Sequence, residues 1–203
     1  MERIFVAATN NGGKLNEIRC ILGSLGCEVI SLKQANICCD PAEDGETFME
    51  NALIKAKEIK VHTDYAVVSD DSGVVVEALG GAPGVKTARY AGDDCDHERN
   101  IDKLLKDLNG LPVEKRRAWF VSAVAAVLPD GRVVTATGHC EGYIGFSKQG
   151  EGGFGYDPIF FTKENRSFAE ISERRKNIVS HRARALRKLC FKLRGVSEIR
   201  GKI

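Results

Sequence analysis

Two adjacent carboxylates, Asp70 and Asp71, follow an Ala/Val-rich stretch that predicts a buried strand, and Ser72 and Gly73 come directly after them. Ligands of α/β proteins bind at the carboxyl ends of strands. Neighbouring carboxylates repel each other unless a proton or a cation relieves them, and Mg²⁺ prefers a few carboxylates together with phosphate oxygens. The sequence therefore indicates a magnesium site. The alternative is a solvated turn, because Asp and Gly are common turn residues.

Two further acidic clusters have simpler explanations. The cluster at residues 93–96 leads directly into a predicted helix, which favours helix capping. The cluster at residues 43–46 is typical of a surface turn. It matters only because the carboxylates of Asp70 and Asp71 need another carboxylate to complete a metal site.

A small polar loop at residues 9–14 lies between a predicted strand and a predicted helix, and Lys14 falls in the first turn. Such a loop presents backbone amides and a cation to an anion. It is not a P-loop, because that motif needs Gly at position 8 and Ser or Thr at position 15, where Ala8 and Leu15 stand. An ordinary strand-to-helix turn with a surface lysine is the alternative.

A glycine-rich loop at residues 152–158 carries two aromatic side chains, Phe154 and Tyr156. Aromatic rings on a flexible loop can stack on a nucleic-acid base, and such stacking contributes roughly 1–3 kcal/mol per base. The alternative is that either ring anchors the loop in the core.

The segment at residues 172–194 contains nine Lys or Arg residues and one acid, Glu173. In a single helix Lys176 and Arg182 would not share a face. We therefore predict that the helix begins at Ser180, with His181 and Arg182 in its first turn and Lys176 in the preceding loop. A solvated basic helix face is the alternative.

Hydrophobic periodicity predicts one α/β domain, residues 1–203, with a mixed sheet. A capping box, in which Thr47 and Glu50 exchange hydrogen bonds, marks one helix start, and Pro129-Asp130-Gly131 marks a hairpin. Strands are predicted at residues 3–8, 28–31, 65–69, 74–77, 117–128, 132–146 and 159–161. Helices are predicted at residues 14–25, 47–60 and 98–108 and from residue 180.

The composition is that of a soluble globular chain, with 43% hydrophobic and 29% charged residues. Thirty Lys and Arg against 28 Asp and Glu give a net charge of +2, so bulk charge indicates no nucleic-acid partner. The longest apolar run, residues 120–128, is too short for a membrane helix, and the N-terminus does not resemble a signal peptide. We expect a cytoplasmic protein without a membrane partner, whose seven cysteines are reduced thiols.

Seven segments then make the chain similar to a known family, in order and over nearly its whole length. They begin at Ala8, Thr47, Asp70, Leu79, Ala88, Gly153 and Lys176 and carry the motifs ATNNGGK, TFMENA, DDSG, LGGAPGV, ARY, GFGYDPIF and KN followed by SHR. The chain resembles the inosine triphosphate pyrophosphatase family, the non-canonical purine NTP pyrophosphatases. The combination of these motifs is specific, although no single one is.

The resemblance implies Mg²⁺-dependent hydrolysis of ITP, dITP and XTP to the monophosphate and pyrophosphate, which cleanses the nucleotide pool. It also implies a homodimer and an α/β fold with a long mixed central sheet flanked by helices, in two lobes with a substrate cleft between them. Asp71 would bind Mg²⁺ and act as the general base, and Ser72 would touch the substrate. The remaining implied substrate-binding residues are Thr9, Asn10, Asn11, Gly12, Gly13 and Lys14 for the phosphates and Phe154, Gly155, Tyr156, Asp157, Lys176, His181 and Arg182 for the base.

One position departs from the family pattern. The second metal carboxylate of the family falls at Ala42, and Glu43 is its neighbour. Glu43 is therefore the preferred second ligand, with Glu46 and Glu50 as weaker candidates. We expect Mg²⁺ and Lys14 to neutralise phosphate oxygens, which allows water to approach the α-phosphorus.

The residues implied for the base pocket suggest which purine bases the site would select. Lys and Arg side chains carry only donors, so Lys176 and Arg182 suit a 6-oxo group and disfavour the amino group of adenine.

Two functions of other classes stay open: a nucleotide sensor without turnover, and a nucleic-acid-binding module that uses the basic C-terminal segment.

Overall fold

The computed structural model describes residues 3–198 and folds them into a mixed sheet of six strands flanked by helices. The strands are β1 (Arg3–Ala7), β2 (Cys27–Ser31), β3 (Ala66–Val76), β4 (Arg117–Val127), β5 (Val133–Ile144) and β6 (Phe160–Phe161). The helices are α1 (Gly12–Gly23), α2 (Phe48–Lys60), α3 (His97–Asp107), α4 (Glu173–Val179) and α5 (His181–Glu198). The sheet order is β2-β1-β3-β4-β5-β6, with β1 parallel to β2 and β3 and with β6 antiparallel to β5. The predicted α/β fold, with a mixed central sheet flanked by helices, is confirmed.

The chain divides into two compact units. The first comprises the described residues up to 71, residues 122–138 and the described residues from 181 onward. The second comprises residues 72–121 and 139–180. Strands β3, β4 and β5 contribute residues to both units.

The first unit has a hydrophobic core on each face of its strands. Phe5 and Ala7 of β1 join the core that α1 and α5 cover, whereas Val6 and Ala8 join the core that α2 covers. This alternation follows from the two-residue period of a strand, and strands covered on both faces are apolar on both faces. The second unit has a single core, in which α3 packs against an aromatic group formed by Phe120, Phe160 and Phe168.

Helix α2 begins where the capping box predicts. The Thr47 hydroxyl accepts a hydrogen bond from the Glu50 amide at 3.1 Å, and the Glu50 carboxylate accepts one from the Thr47 amide at 3.0 Å. Asp96 caps α3 by accepting hydrogen bonds from the Glu98 and Arg99 amides, so the acidic cluster at residues 93–96 includes the predicted cap.

Strand β3 is continuous, and the predicted break after residue 69 was wrong. Asp70 and Asp71 lie inside the strand and are buried. The strand continues because protein cations, rather than water, stabilise both carboxylates. Helix α1 also begins two residues earlier than predicted, at Gly12, because Asn11 caps it by accepting a hydrogen bond from the Lys14 amide at 2.9 Å.

The C-terminal segment breaks at Ser180 as predicted, but Lys176 does not lie in a loop. It belongs to α4, which Ser172 caps through a hydrogen bond from the Arg175 amide. Seven residues are too few to display a clear apolar stripe, so the sequence pattern missed this helix. Within the described residues, no helix combines the length and hydropathy that crossing a membrane requires.

Candidate active site

The loop between β1 and α1 places amides and a lysine at a helix N-terminus. The Thr9 hydroxyl accepts a hydrogen bond from the Asn11 amide at 3.2 Å, which shapes the turn. Asn10 is exposed and donates to the Asp40 carboxylate at 2.9 Å. Gly12 and Gly13 form the first turn of α1, where amides lie outside the intrahelical ladder and favour an anion.

Lys14 extends from this turn to the Asp70 carboxylate, with 3.2 Å between Nζ and Oδ2. Its side chain is 17% exposed, so most of it is shielded from solvent. Burial lowers the pKa of Lys14, and the nearby cations Lys55 and Arg182 lower it further, although Asp70 opposes them.

Asp70 is fully buried and is the counter-ion of several groups of the first unit. Besides Lys14, it accepts hydrogen bonds from Arg182 Nη2 at 3.0 Å and from the Ser122 hydroxyl at 2.5 Å. Burial alone would raise the pKa of Asp70, but Arg182 and Lys14 outweigh it and hold the pKa well below its usual range. Asp70 is therefore an ionised structural anion and a poor proton acceptor.

Asp71 has a different environment, although it is the next residue. Lys55 Nζ lies 3.0 Å from Asp71 Oδ1 and 2.7 Å from Glu43 Oε1, so one ammonium bridges the two carboxylates. Asn51 donates to the other Asp71 oxygen at 3.3 Å. Burial raises the pKa of Asp71, and the charge of Glu43 adds to this effect, whereas Lys55 and Lys14 oppose it. Asp71 is the carboxylate better suited to accept a proton.

Lys55 and Asn51 both lie on the buried face of α2, and neither was predicted from the sequence as a site residue. Lys55 also donates to the Asp70 carbonyl oxygen at 3.0 Å. Burial lowers its pKa, but Asp71 and Glu43 outweigh burial, so the pKa of Lys55 is raised. A lysine on the same helical stripe as Ala52 and Ile59 was the available signal, because a cation on an apolar face needs a buried partner.

Asn51 also shapes the acidic turn before α2. Its Oδ1 accepts a hydrogen bond from the Gly45 amide at 2.8 Å. A Cβ at Gly45 would lie 2.8 Å from the same oxygen, so the turn requires glycine for this close approach. Asn51 thereby contacts both the turn that carries Glu43 and the Asp71 carboxylate.

The donor set around Lys55 suits a divalent ion. Asp71 and Glu43 already converge on one cation, the Lys55 ammonium, and two carboxylates leave coordination positions for phosphate oxygens and water, as Mg²⁺ prefers. No group of three or more His, Cys, Asp or Glu side chains within residues 3–198 has the arrangement of a metal cage. The residues present therefore fit an ion that the substrate helps to bind.

Arg182 is almost completely buried and forms ion pairs with Asp70 and with Glu17 of α1. Its preceding residue, His181, is also buried, and Gly138 of β5 lies against it. Glu17 was not predicted from the sequence as a partner of this site. The signal for it was a carboxylate among the apolar positions of α1, whose buried residues include Ile18 and Ile21.

The second unit holds the aromatic loop and Lys176. Lys176 is buried, donates to Asp157 Oδ2 at 2.5 Å and lies 4.6 Å from the centre of the Phe154 ring. Asp157 Oδ2 also accepts a hydrogen bond from the Phe154 amide at 2.8 Å. A Cβ at Gly153 would overlap this carboxylate, at 2.1 Å, so glycine is required there. The loop therefore holds a half-buried aromatic ring beside a cation.

Tyr156 differs from Phe154 because it is buried in the core of the second unit. Its hydroxyl donates to the Thr87 carbonyl oxygen at 2.9 Å. Tyr156 thus anchors the loop, and Gly155 precedes it with a positive φ of 58°.

The structure distributes the predicted site residues over the two units. Those in the first unit are Thr9, Asn10, Asn11, Gly12, Gly13, Lys14, Glu43, Asp71, His181 and Arg182. Those in the second unit are Ser72, Phe154, Gly155, Tyr156, Asp157 and Lys176. The first set has side chains and amides suited to binding phosphate and a metal ion, and the second set has an aromatic ring and a cation suited to binding a nucleotide base.

Comparison with known proteins agrees with this chemistry. The model of the Ham1 family matches residues 5–192. The chain belongs to the Ham1 family. A protein of Geobacillus kaustophilus named dITP/XTP pyrophosphatase is 46% identical, with 91% of each chain covered. One of the same name from Bacillus subtilis is 44% identical, over 91% of this chain and 93% of the relative.

The fold also matches solved structures of the family. The Ham1 protein of Staphylococcus aureus has a TM-score of 0.82 and 38% identity, and the match covers 95% of this chain and 99% of that one. The predicted family and the prediction that this chain is a hydrolase are thereby confirmed, because the relatives from Geobacillus and Bacillus are named as pyrophosphatases.

Proposed function

We propose that this chain hydrolyses ITP, dITP and XTP to the nucleoside monophosphate and pyrophosphate in a Mg²⁺-dependent reaction that cleanses the nucleotide pool. The observation that carries the proposal is the difference between two adjacent carboxylates. Asp70 is held ionised by Arg182 and Lys14, whereas Asp71 shares the Lys55 ammonium with Glu43. The names of the family relatives support the substrate class.

The loop at residues 9–13 and the Lys14 ammonium would bind the triphosphate. Burial lowers the pKa of Lys14, but Asp70 beside it favours the charged form. A triphosphate carries about four negative charges, so these donors reduce the repulsion that an attacking water meets. Asp71 and Glu43 would hold Mg²⁺, which when bound supplies further neutralisation of phosphate oxygens.

Asp71 would orient the attacking water and accept its proton. The water oxygen bonds to the α-phosphorus, the bond from that phosphorus to the α–β bridging oxygen breaks, and pyrophosphate leaves. The raised pKa of Asp71, which burial causes, suits this role. Lys55 and Asn51 would orient the carboxylate, since they contact its two oxygens.

The second unit would recognise the base. Phe154 offers a ring for stacking, and Lys176 beside it offers a donor to the 6-oxo group of hypoxanthine or xanthine. The amino group of adenine would face donors and stay unpaired, which can discriminate about 10⁴-fold. Ser72 of the second unit would also contact the substrate.

Three further features belong to the same proposal. We propose that residues 1–203 act as a single functional domain, that two copies form a homodimer, and that the enzyme works in the cytoplasm on free nucleotides.

Replacement of Asp71 by Asn tests the proposal. We expect Asp71→Asn to lower kcat for ITP at least about 10²-fold, the usual contribution of a general base, while the Kd for ITP stays within a few-fold. Turnover would be followed by pyrophosphate release and binding by calorimetry, with Asp64→Asn, an exposed carboxylate, as the control. Retained turnover in Asp71→Asn would contradict the assigned base. A wild-type protein that binds ITP without hydrolysis would be a nucleotide sensor.

A further inference from the structure

Helix α5 carries a cationic face that the hydrolysis of nucleotides does not use. Between residues 181 and 194 the helix contains no Asp or Glu. The exposed positions of this stretch follow the spacing of one helix face. They are Arg184, Arg187, Lys188, Phe191, Lys192 and Arg194, which we name the basic face.

An aromatic ring stands near the middle of the basic face. At 3.6 residues per turn these six positions span an arc of roughly 160°, with Phe191 between the directions of Arg187 and Lys188. The Phe191 side chain is 79% exposed, although a large apolar ring is normally buried. The ring is therefore flanked by positive charge on both sides.

The basic face borders a groove of about 510 Å³ in the first unit. The groove is lined by two residues of β5, Ala136 and Thr137, and by four of the basic face, Arg187, Lys188, Phe191 and Lys192. Lys188 Nζ donates to the Thr137 carbonyl at 3.0 Å, and Lys192 Nζ donates to the Thr135 carbonyl at 2.7 Å. These two bonds hold cations along the β5 side of the groove.

We propose that the basic face binds single-stranded nucleic acid, independently of the active site. Cations that track a backbone, together with an exposed ring on which a base stacks, are the features of sequence-tolerant single-strand binding. From Arg184 to Lys192 the helix rises about 12 Å, which is enough for a few phosphates. The overall charge of +2 hides this face, because it averages the basic helix with acidic segments elsewhere.

The positive charge and the exposed ring together indicate which class of ligand the basic face binds. An anionic membrane would also meet the cations, but the ring stands beside an open groove that suits a planar base. A duplex presents its bases already stacked, so it would leave Phe191 without a partner.

The test measures binding of a fluorescein-labelled oligo(dT) of about 20 nucleotides by anisotropy between 50 and 300 mM salt. We expect log K to fall with log salt at a slope of about −2, as contact with three phosphates of a single strand requires. Phe191→Ala should weaken binding roughly 5- to 100-fold with the slope unchanged. Arg187→Gln should reduce the slope by about 0.7, the share of one phosphate.

Lys115→Gln removes an exposed cation of the second unit and is the matched control, expected to bind like the wild type. Hydrolysis of ITP is measured in every preparation and should be unchanged, so failure of this inference is distinct from failure of the proposed function.

Three results would overturn the inference. The first is wild-type binding by both Phe191→Ala and Arg187→Gln. The second is displacement of the oligonucleotide by excess ITP, which would place it in the active site. The third is binding of the protein to phosphatidylserine vesicles, or to inorganic polyphosphate, that is as tight as its binding to the oligonucleotide. In that case Arg187→Gln would weaken the binding and Phe191→Ala would not.

Discussion

Asp70 and Asp71 are neighbours in β3 and yet have opposite electrostatic surroundings. Asp70 is enclosed by Arg182, Lys14 and the Ser122 hydroxyl, which favour its ionised form. Asp71 is partnered by one shared ammonium and an amide, and burial raises its pKa. Two carboxylates whose pKa values are pushed apart by their environments can have separate roles. We therefore propose a structural role for Asp70 and a catalytic role for Asp71.

Asp70→Asn should destabilise the fold. The substitution keeps the size of the side chain but leaves the Arg182 guanidinium buried with one carboxylate fewer. Breaking a buried ion pair costs about 3–5 kcal/mol in the free energy of unfolding. Urea unfolding followed by circular dichroism measures the loss.

The control for this experiment is Asp64→Asn, whose carboxylate is exposed and should change the free energy of unfolding by less than about 0.5 kcal/mol. If Asp70→Asn were as stable as this control, the assignment of Asp70 as a structural counter-ion would fail.

Glu43→Gln should weaken Mg²⁺ binding. Glu43 is the carboxylate that shares the Lys55 ammonium with Asp71, whereas Glu50 accepts the capping-box hydrogen bond. We expect the Mg²⁺ concentration for half-maximal activity to rise at least about tenfold, as it does when supporting groups of a metal site are lost.

Glu46→Gln is the matched control for this titration, because Glu46 is exposed and lies in the same acidic turn. A shifted Mg²⁺ requirement in Glu46→Gln together with an unchanged one in Glu43→Gln would move the second metal ligand to Glu46.

Helix α5 packs very closely on β5, and this packing fixes the position of Arg182. A Cβ at Gly138 would lie 2.3 Å from the His181 carbonyl oxygen and 2.4 Å from the Ala185 amide. Only glycine permits this approach, since backbone atoms cannot move aside as a flexible side chain can. The position of the Arg182 guanidinium therefore depends on a glycine in another element.

Gly138→Ala should destabilise the protein and lower its activity together. Displacing α5 to relieve the contact costs about 1–3 kcal/mol, as overpacking does, and it moves Arg182 away from Asp70. Thermal unfolding and turnover of ITP report the two effects.

Gly23→Ala is the control, because a Cβ there meets no atom within 4 Å in helix α1. It should be neutral or slightly stabilising, since Ala exceeds Gly in helix propensity by about 0.5–1 kcal/mol. Equal stability of the two variants would contradict the close packing of α5 on β5.

Elements with local signals were predictable from the sequence. The capping box of Thr47 and Glu50 located the start of α2, and Ser180 located the break before α5. Strand β3 was predicted as two pieces, because Asp70 and Asp71 resemble a turn in the absence of Arg182. The cations that let the strand continue lie up to 112 residues away in sequence, so no local pattern reveals them.

At the scale of the whole molecule, the sequence predicted the mixed sheet and the family, but not the charge network that supports the site. Lys55, Asn51, Glu17 and Ser122 were missed because each is a polar residue on the buried, otherwise apolar face of its helix or strand. Such residues stand out only as exceptions to the apolar pattern, and a pattern cannot name their partners. The assignment of each predicted site residue to one of the two units likewise required the structure.

The most direct test of the account is product analysis with purified protein and Mg²⁺ across ITP, dITP, XTP, ATP and GTP. The account predicts one pyrophosphate per nucleotide consumed from ITP, dITP and XTP, with kcat/KM for ATP lower by about 10⁴-fold. Little release is expected from GTP. Orthophosphate in place of pyrophosphate would put the attack at the γ-phosphorus and contradict the mechanism, and equal rates with ATP would contradict the base pocket.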